Sequence, residues 1–251
     1  MGAVVRSTDS YRPGRGIEVL RPTGACRVPV ALLWHGTGPD ERDALVPLAS
    51  VLASHGALAL VPDWRSDDPV VGADELLASI AFTLEAAAGL GGDPDRVVLV
   101  GWSLGASAAA DIALHPDISD GWQPAALVGL GGGYDRALFA GHGASPLDVD
   151  GQVRGPGRTA LLVHGTSDTV VPPERSVVGT AALDAAGWNA TLRHVGTDHA
   201  GVIGTVYDRA VRRCVPSDDP DRLAALALVG SEAAGVVLGP DGPEGGASTE
   251  V

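Results

Sequence analysis

The chain reads as an α/β protein, one domain built on a mostly parallel sheet wrapped by helices. Three observations carry this expectation. Short, continuously apolar runs alternate with segments of helical period, the pattern of strands buried on both faces between packed helices. The 251 residues suffice for one large domain with a sizeable core. With 45% hydrophobic and 19% charged residues the composition is that of a globular protein, which argues against wholesale disorder and against a disulfide-stapled miniature scaffold.

Taken in order, strands are expected over residues 28–34, 57–61, 96–100, 125–130, 159–163 and 191–195, each a short run that is continuously apolar or nearly so. A further strand near 17–20 either pairs within the sheet or meets another subunit, which leaves a homodimer open. Helices are expected over 41–54, 73–88, 106–114, 173–186 and 202–213, where apolar residues recur on one side. Punctuation supports these cuts. Gly89 to Pro94 ends a helix and turns the chain into a strand, and His115-Pro116 and Ala186-Gly187 are helix stops. Asp93-Pro94-Asp95 is read as a turn, because the ligand pattern of a calcium loop does not continue after it. The glycine-rich stretch 131–157 reads as a long excursion over the sheet edge, too short for a lid domain, so an open cleft is expected. The domain is taken as 1–238, followed by a flexible tail over 239–251 made of Gly, Pro, Ser and acidic residues.

Charge restricts the partners. Seventeen basic residues, all arginine, stand against 31 acidic ones, for a net charge of −14. Such a surface repels phosphate backbones and anionic headgroups, so no nucleic-acid or membrane partner is expected. Without lysine neither a phosphate-binding Gly-Lys-Ser/Thr loop nor a Schiff-base mechanism is available. Cys26 and Cys214 have neither zinc-ligand nor redox-pair spacing and are read as two free buried thiols. Residues 1–15 lack the apolar core of a secretory signal, and no apolar run reaches membrane-spanning length, so the expected location is cytoplasmic.

One motif carries chemistry. The strand Arg96-Val97-Val98-Leu99-Val100 runs into Gly101-Trp102-Ser103-Leu104-Gly105 and then into an alanine-rich helix. A serine on a tight strand-to-helix turn takes strained backbone angles, and small residues two before and two after it avoid collisions. The turn lifts the Ser103 hydroxyl above the carboxyl edge of the sheet, beside a helix N-terminus that favours developing negative charge. A hydroxyl needs a base to become nucleophilic, and the base needs a carboxylate to orient it. His199, in Gly196-Thr197-Asp198-His199-Ala200-Gly201, and Asp168, in His164-Gly165-Thr166-Ser167-Asp168, each follow a predicted strand and so stand at the same edge as the serine.

The chain order Ser103, Asp168, His199, the strand ends and the elbow together resemble the α/β-hydrolase family, and within it the small lidless esterases and dienelactone-hydrolase-like members. The resemblance spans roughly 28–213. It implies an α/β-hydrolase fold with helices on both sheet faces and no large cap domain. His164-Gly165-Thr166-Ser167-Asp168-Thr169-Val170-Val171-Pro172 is similar to the family segment in which the aspartate orients the catalytic histidine, and Trp34-His35-Gly36-Thr37-Gly38 to the segment that supplies one oxyanion-hole amide. The resemblance thus implies Ser103, Asp168 and His199 as catalytic residues, with the amides of Thr37 and Leu104 as the oxyanion hole. Serine replaces the elbow cysteine of dienelactone hydrolases, so that substrate class is not implied.

The bland readings stand beside these. Ser103 is otherwise a helix N-cap, Asp168 a turn former and His199 a loop histidine. His194 is the rival base, although it falls within a strand and reads as structural. Asp135 is the rival acid, and Asp198 has no catalytic role. His35 and His164 scaffold their turns, and Trp34 belongs to the core. Trp102 and Trp64 are candidates to wall a substrate pocket. A His194, Asp198 and His199 metal cluster is disfavoured, and no metal or cofactor is expected. The expected function is hydrolysis of a small-molecule carboxylic ester through an acyl-enzyme. The alternatives are an acyltransferase or peptidase with the same triad, or a catalytically silent binding protein of this fold.

Overall fold

The computed structural model describes residues 2–135, 138–139 and 154–239. Eight strands form one sheet: β1 (Val4–Arg12), β2 (Arg15–Pro22), β3 (Val28–Trp34), β4 (Leu58–Pro62), β5 (Gly92–Trp102), β6 (Ala126–Leu130), β7 (Thr159–Gly165) and β8 (Asn189–Val195). Their spatial order is β1-β2-β4-β3-β5-β6-β7-β8. From β4 to β8 every neighbouring pair is parallel, and β1 and β2 add an antiparallel margin. The segment around 17–20 therefore pairs within the sheet, through Ile17 opposite Pro62 and Leu20 opposite Ala59.

Helices cover both faces. The helices α1 (Arg42–Ser54) and α5 (Pro220–Leu238) pack with Ala31, Leu33, Val98 and Val100 on one side. On the other, α3 (Leu104–Leu114) and α4 (Glu174–Ala185) join α2 (Pro69–Ala86), whose Leu76 and Ile80 pack with Val30, Leu32, Leu99 and Leu127. Alternate residues of β3 thus feed opposite cores, which is why the run has no polar position. Aspartates start two of the helices. Asp68 accepts from Val71 N–H at 3.2 Å, and Asp219 from the N–H groups of Asp221 and Arg222, each just before a proline at the first helical turn.

The chain leaves β3 for β4 on one side and returns to β5 on the other. Strand order reverses between β3 and β5, so their carboxyl ends diverge into a crevice, the usual ligand position in open parallel sheets. The expected strands all form, and so does the elbow helix.

Several expectations fail for physical reasons. Residues 202–213 do not form a helix. Gly204 turns the chain through φ 73°, and a separate hairpin follows, β9 (Thr205–Asp208) with β10 (Arg213–Pro216). Near-regular apolar spacing suggested one face of a helix, but a two-stranded ribbon exposes Val206, Tyr207 and Val211 instead. The strand β8 is not buried on both faces. It closes the sheet edge, and most of its residues are half or fully exposed. Strand β1 and helix α5 form where no element was assigned. The thiols are free but not both buried: Cys26 is exposed and Cys214 half-buried. All of the expected tail beyond 239, and residues 136–137 and 140–153 of the glycine-rich excursion, lie outside the described residues. Among the described residues no helix is long and apolar enough to cross a membrane.

Candidate active site

The turn after β5 is sterically demanding. Ser103 has φ 55° and ψ −118°, a left-handed φ that is uncommon for a non-glycine residue. Its N–H donates to Leu130 O at 2.8 Å, tying the turn to the end of β6. A Cβ on Gly101 would run into the Gly105 carbonyl, and one on Gly105 into the Trp34 and His35 carbonyls. Both glycines of the Gly-x-Ser-x-Gly motif are therefore required by backbone contact. The serine side chain makes no capping bond to α3, which removes the N-cap reading.

The carboxylate and imidazole converge at the ends of β7 and β8. His199 Nδ1–H donates to Asp168 Oδ2 at 2.7 Å. Both side chains are largely buried, at 9% and 7% residue exposure. Asp168 Oδ1 accepts from the N–H groups of Val170 and Val171 at 2.8 and 2.9 Å. The His164 Nε2 faces two acceptors, Val171 O at 3.0 Å and Asp168 Oδ2 at 3.2 Å. That nitrogen therefore carries the proton, and Nδ1 accepts from the Ser176 hydroxyl at 2.6 Å. Burial works to raise the Asp168 pKa, but hydrogen bonds from His164, His199 and the Val171 amide outweigh it and hold the carboxyl well below the usual range. Asp168 is thus a permanent acceptor that engages Nδ1 of the imidazole and leaves Nε2 as its unprotonated nitrogen. Trp102 closes the other side: its indole N–H donates to His199 O at 3.0 Å, and the two rings lie 5.2 Å apart. Behind the imidazole, Gly131 takes a left-handed φ of 56°, and a Cβ there would stand 3.2 Å from His199 Nδ1, closer than ordinary contact.

After β3 the chain crosses above the elbow. His35 is fully buried, and burial lowers its pKa to about 4, so the ring is neutral. Nε2 faces the Glu41 and Trp64 N–H groups at 3.3 and 3.5 Å, so it is the acceptor and Nδ1–H donates to Gly36 O at 2.8 Å. Ser66 adds a second clamp, its hydroxyl within 2.9 Å of the carbonyl oxygens of Gly36 and Gly38 and accepting from Gly38 N–H at 2.6 Å. Thr37 is held between these clamps. Leu104 is the first residue of α3, where N–H groups have no partner in a preceding helical turn.

A cleft of about 390 Å³ joins these parts, lined by Thr37, Trp102, Ser103, Val170 and His199 among others. Its remaining wall was missed by sequence reasoning: Tyr207, Arg212, Arg213 and Cys214 of the β9–β10 hairpin, together with Glu41. The run Asp208 to Arg213, with four charged residues between two short apolar pairs, was the available hairpin signal. Trp64 does not line the cleft. It is fully buried in the core beside His35, ring centroids 5.3 Å apart. Among the rivals, His194 projects exposed from the edge strand, Asp135 pairs with Arg175 at 3.1 Å, and Asp198 pairs with Arg222 at 2.5 Å. Among the described residues no three His, Cys, Asp or Glu side chains are grouped to hold a metal ion.

No protein-family model matches the chain. A curated relative, the probable isoprenylcysteine alpha-carbonyl methylesterase of Oryza sativa subsp. japonica, is 30% identical over 184 residues, covering 56% of this chain and 43% of the relative. The chain thus spans less than half the length of the curated relative it matches. Among solved structures, Thermogutta terrifontis esterase 2 phosphoramylated by tabun superposes with a TM-score of 0.71 at 19% identity, covering 94% of this chain and 96% of that one. The propionate-bound form of the same esterase gives 0.69 at 20% identity, over 94% and 97%. At that identity the likeness concerns the backbone alone, and it extends over nearly the whole of both chains. With the parallel sheet, the flanking helices and the strained serine turn after β5, it establishes that the chain has the α/β-hydrolase fold.

Proposed function

We propose that this protein hydrolyses carboxylic esters of small molecules through an acyl-enzyme formed on Ser103. The observation that carries the reading is the convergence on one cleft of a serine on a strained elbow and an imidazole whose Nδ1 is committed to a buried, ionised aspartate. In the proposed sequence His199 Nε2 accepts the Ser103 proton as the oxygen attacks the ester carbonyl. Asp168 holds the tautomer and steadies the imidazolium without taking the proton. The N–H groups of Thr37 and Leu104 receive the oxyanion, a contribution worth about 10²–10³ in kcat per donor in related chemistry. The imidazolium protonates the departing alcohol, and water activated by the same histidine releases the acid. Trp102 and Val170 supply apolar wall for the substrate.

The relatives support this reading: one bears the name of a methylesterase, and solved forms of another hold organophosphorus adducts or propionate. The test is turnover of a short-chain aryl ester such as p-nitrophenyl acetate by the protein and by Ser103→Ala. Folded Ser103→Ala protein with background hydrolysis is expected, and retained turnover would remove Ser103 from the mechanism.

A further inference from the structure

The hairpin that walls the cleft brings charge with it, and the charges are not equivalent. Glu41 pairs with Arg213 Nε at 3.4 Å, and the Arg213 guanidinium also donates to Asp40 O. Asp198 is held by both terminal nitrogens of Arg222, at 2.7 and 2.5 Å. The fourth charged side chain on this lining, Arg212, has no ionic or hydrogen-bond partner among the described residues. A chain carrying −14 overall therefore presents an unpaired cation on the cleft that also holds Ser103.

The placement of Arg212 is also constrained. It closes the turn between β9 and β10 with φ 55°, a left-handed conformation costing about 1–2 kcal/mol in a residue with a side chain. Such a conformation persists only where the surroundings dictate it. Here they do, because Asp208 Oδ1 accepts from Ala210 N–H at 2.7 Å at the start of the turn, and Arg213 anchors its end to the loop before α1. Arg212 is thus an exposed residue on the rim of the cleft, set there by a braced backbone rather than drawn by a protein carboxylate. A planar fork of donors at the mouth of a site matches a carboxylate.

We infer that Arg212 forms an anion subsite, so that the preferred substrates are esters that also carry a carboxylate. The inference rests on the ester-hydrolase reading for its reaction but not for its binding step. Arg212 touches no reacting atom. It is a specificity residue, and its effect belongs in kcat/KM ratios between matched substrates.

Two matched pairs test it: 3-acetoxybenzoate against 3-acetoxybenzamide, with the charge on the alcohol side, and monomethyl adipate against the methyl ester of adipamic acid, with the charge on the acyl side. In at least one pair the carboxylate is expected to be favoured by about three- to tenfold in kcat/KM at low salt, the size of a partly exposed charge-assisted contact. The ratio should shrink at 0.5 M salt, fall to about one in Arg212→Gln, invert in Arg212→Glu and survive in Arg212→Lys. A ratio of one or below in both pairs for the unmodified protein, or a preference that persists in Arg212→Gln, overturns the inference. Turnover of none of the four esters would instead count against the hydrolase reading. In that case calorimetric binding of 3-hydroxybenzoate against 3-hydroxybenzamide still decides the subsite, since equal affinity, or affinity indifferent to Arg212→Gln, refutes it.

Discussion

Two cavities lie at opposite edges of the sheet, and the smaller one holds the proposed catalytic residues. At the amino-terminal edge, a groove of about 730 Å³ runs between the segment joining β2 to β3 and the approach to β5. Of its charged lining residues, Arg27 lies 3.9 Å from Asp95 and also pairs with Asp93 at 3.1 Å, and the rest of its wall is largely glycine, alanine and proline. At the carboxyl edge the cleft has roughly half that volume, yet the ends of β3, β5, β7 and β8 all deliver lining residues to it, the proposed nucleophile and base among them. Parallel strands place every carboxyl end on the same side, so side chains far apart in sequence meet there without any one loop being long. Volume marks where the packing is loose, whereas convergence and backbone strain mark where it is committed.

Breaking the carboxyl-edge cleft should have effects that the amino-edge groove cannot match. Ser103→Ala should lower kcat on p-nitrophenyl acetate by 10⁴ or more, as estimated from comparable triads, with an unchanged circular dichroism spectrum. Asp168→Asn and His199→Ala should each cost about 10⁴ by the same comparison, whereas His194→Ala on the exposed edge strand should leave kcat within about twofold. An inverted outcome for the two histidines would reassign the base. Gly131→Ala introduces a methyl group behind the imidazole at a left-handed φ, and a decrease of about 10- to 100-fold in kcat is expected from the displaced ring.

Away from both cavities, Asp111 of α3 accepts from Leu138 N–H at 3.0 Å, and burial raises its pKa from 3.8 to about 7. The folded chain keeps this proton where the unfolded chain has lost it. Its contribution is therefore complete below pH 3.8 and is lost as the pH rises to 7. Asp111→Asn cannot titrate, so its urea-unfolding stability relative to the parent should climb by up to about 1.4 kcal/mol per pH unit across that window, and a flat difference would refute the buried ionisation. The smallest effect belongs to the amino edge: Arg27→Ala should shift stability by less than about 1 kcal/mol, because the arginine is largely exposed, and leave aryl-ester turnover unchanged. A substantial loss of turnover would undo the contrast between the edges.

Much of the carboxyl-edge cleft was legible in the sequence. Gly101, Ser103 and Gly105 advertise the elbow because contacts with neighbouring carbonyls exclude other residues at the glycines. Asp168 follows a short, uniformly apolar run that reads as a central strand, and His199 follows a mixed run that forms the edge strand β8. The other wall was less legible, since Val202 to Arg213 has apolar spacing compatible with a helix face, and only Gly204 and the charged run Asp208 to Arg213 separate that reading from a short hairpin. Trp64 misled for a related reason. A tryptophan after a strand is equally suited to a pocket wall and to a core, and its neighbour His35, which settles the matter, lies 29 positions earlier in the chain. The contact of His164 with Asp168 is likewise tertiary. The sequence places that histidine in the right turn, but only the return of Val171 and Ser176 around its ring turns scaffolding into support for the carboxylate.

The central claim is that Ser103 is an activated nucleophile, and active-site labelling tests it without knowledge of the substrate. Incubation with a fluorophosphonate followed by peptide mass spectrometry should find one adduct, on Ser103, absent in Ser103→Ala and formed far more slowly in His199→Ala. No adduct on the folded protein, or one on another serine that survives Ser103→Ala, would contradict the account.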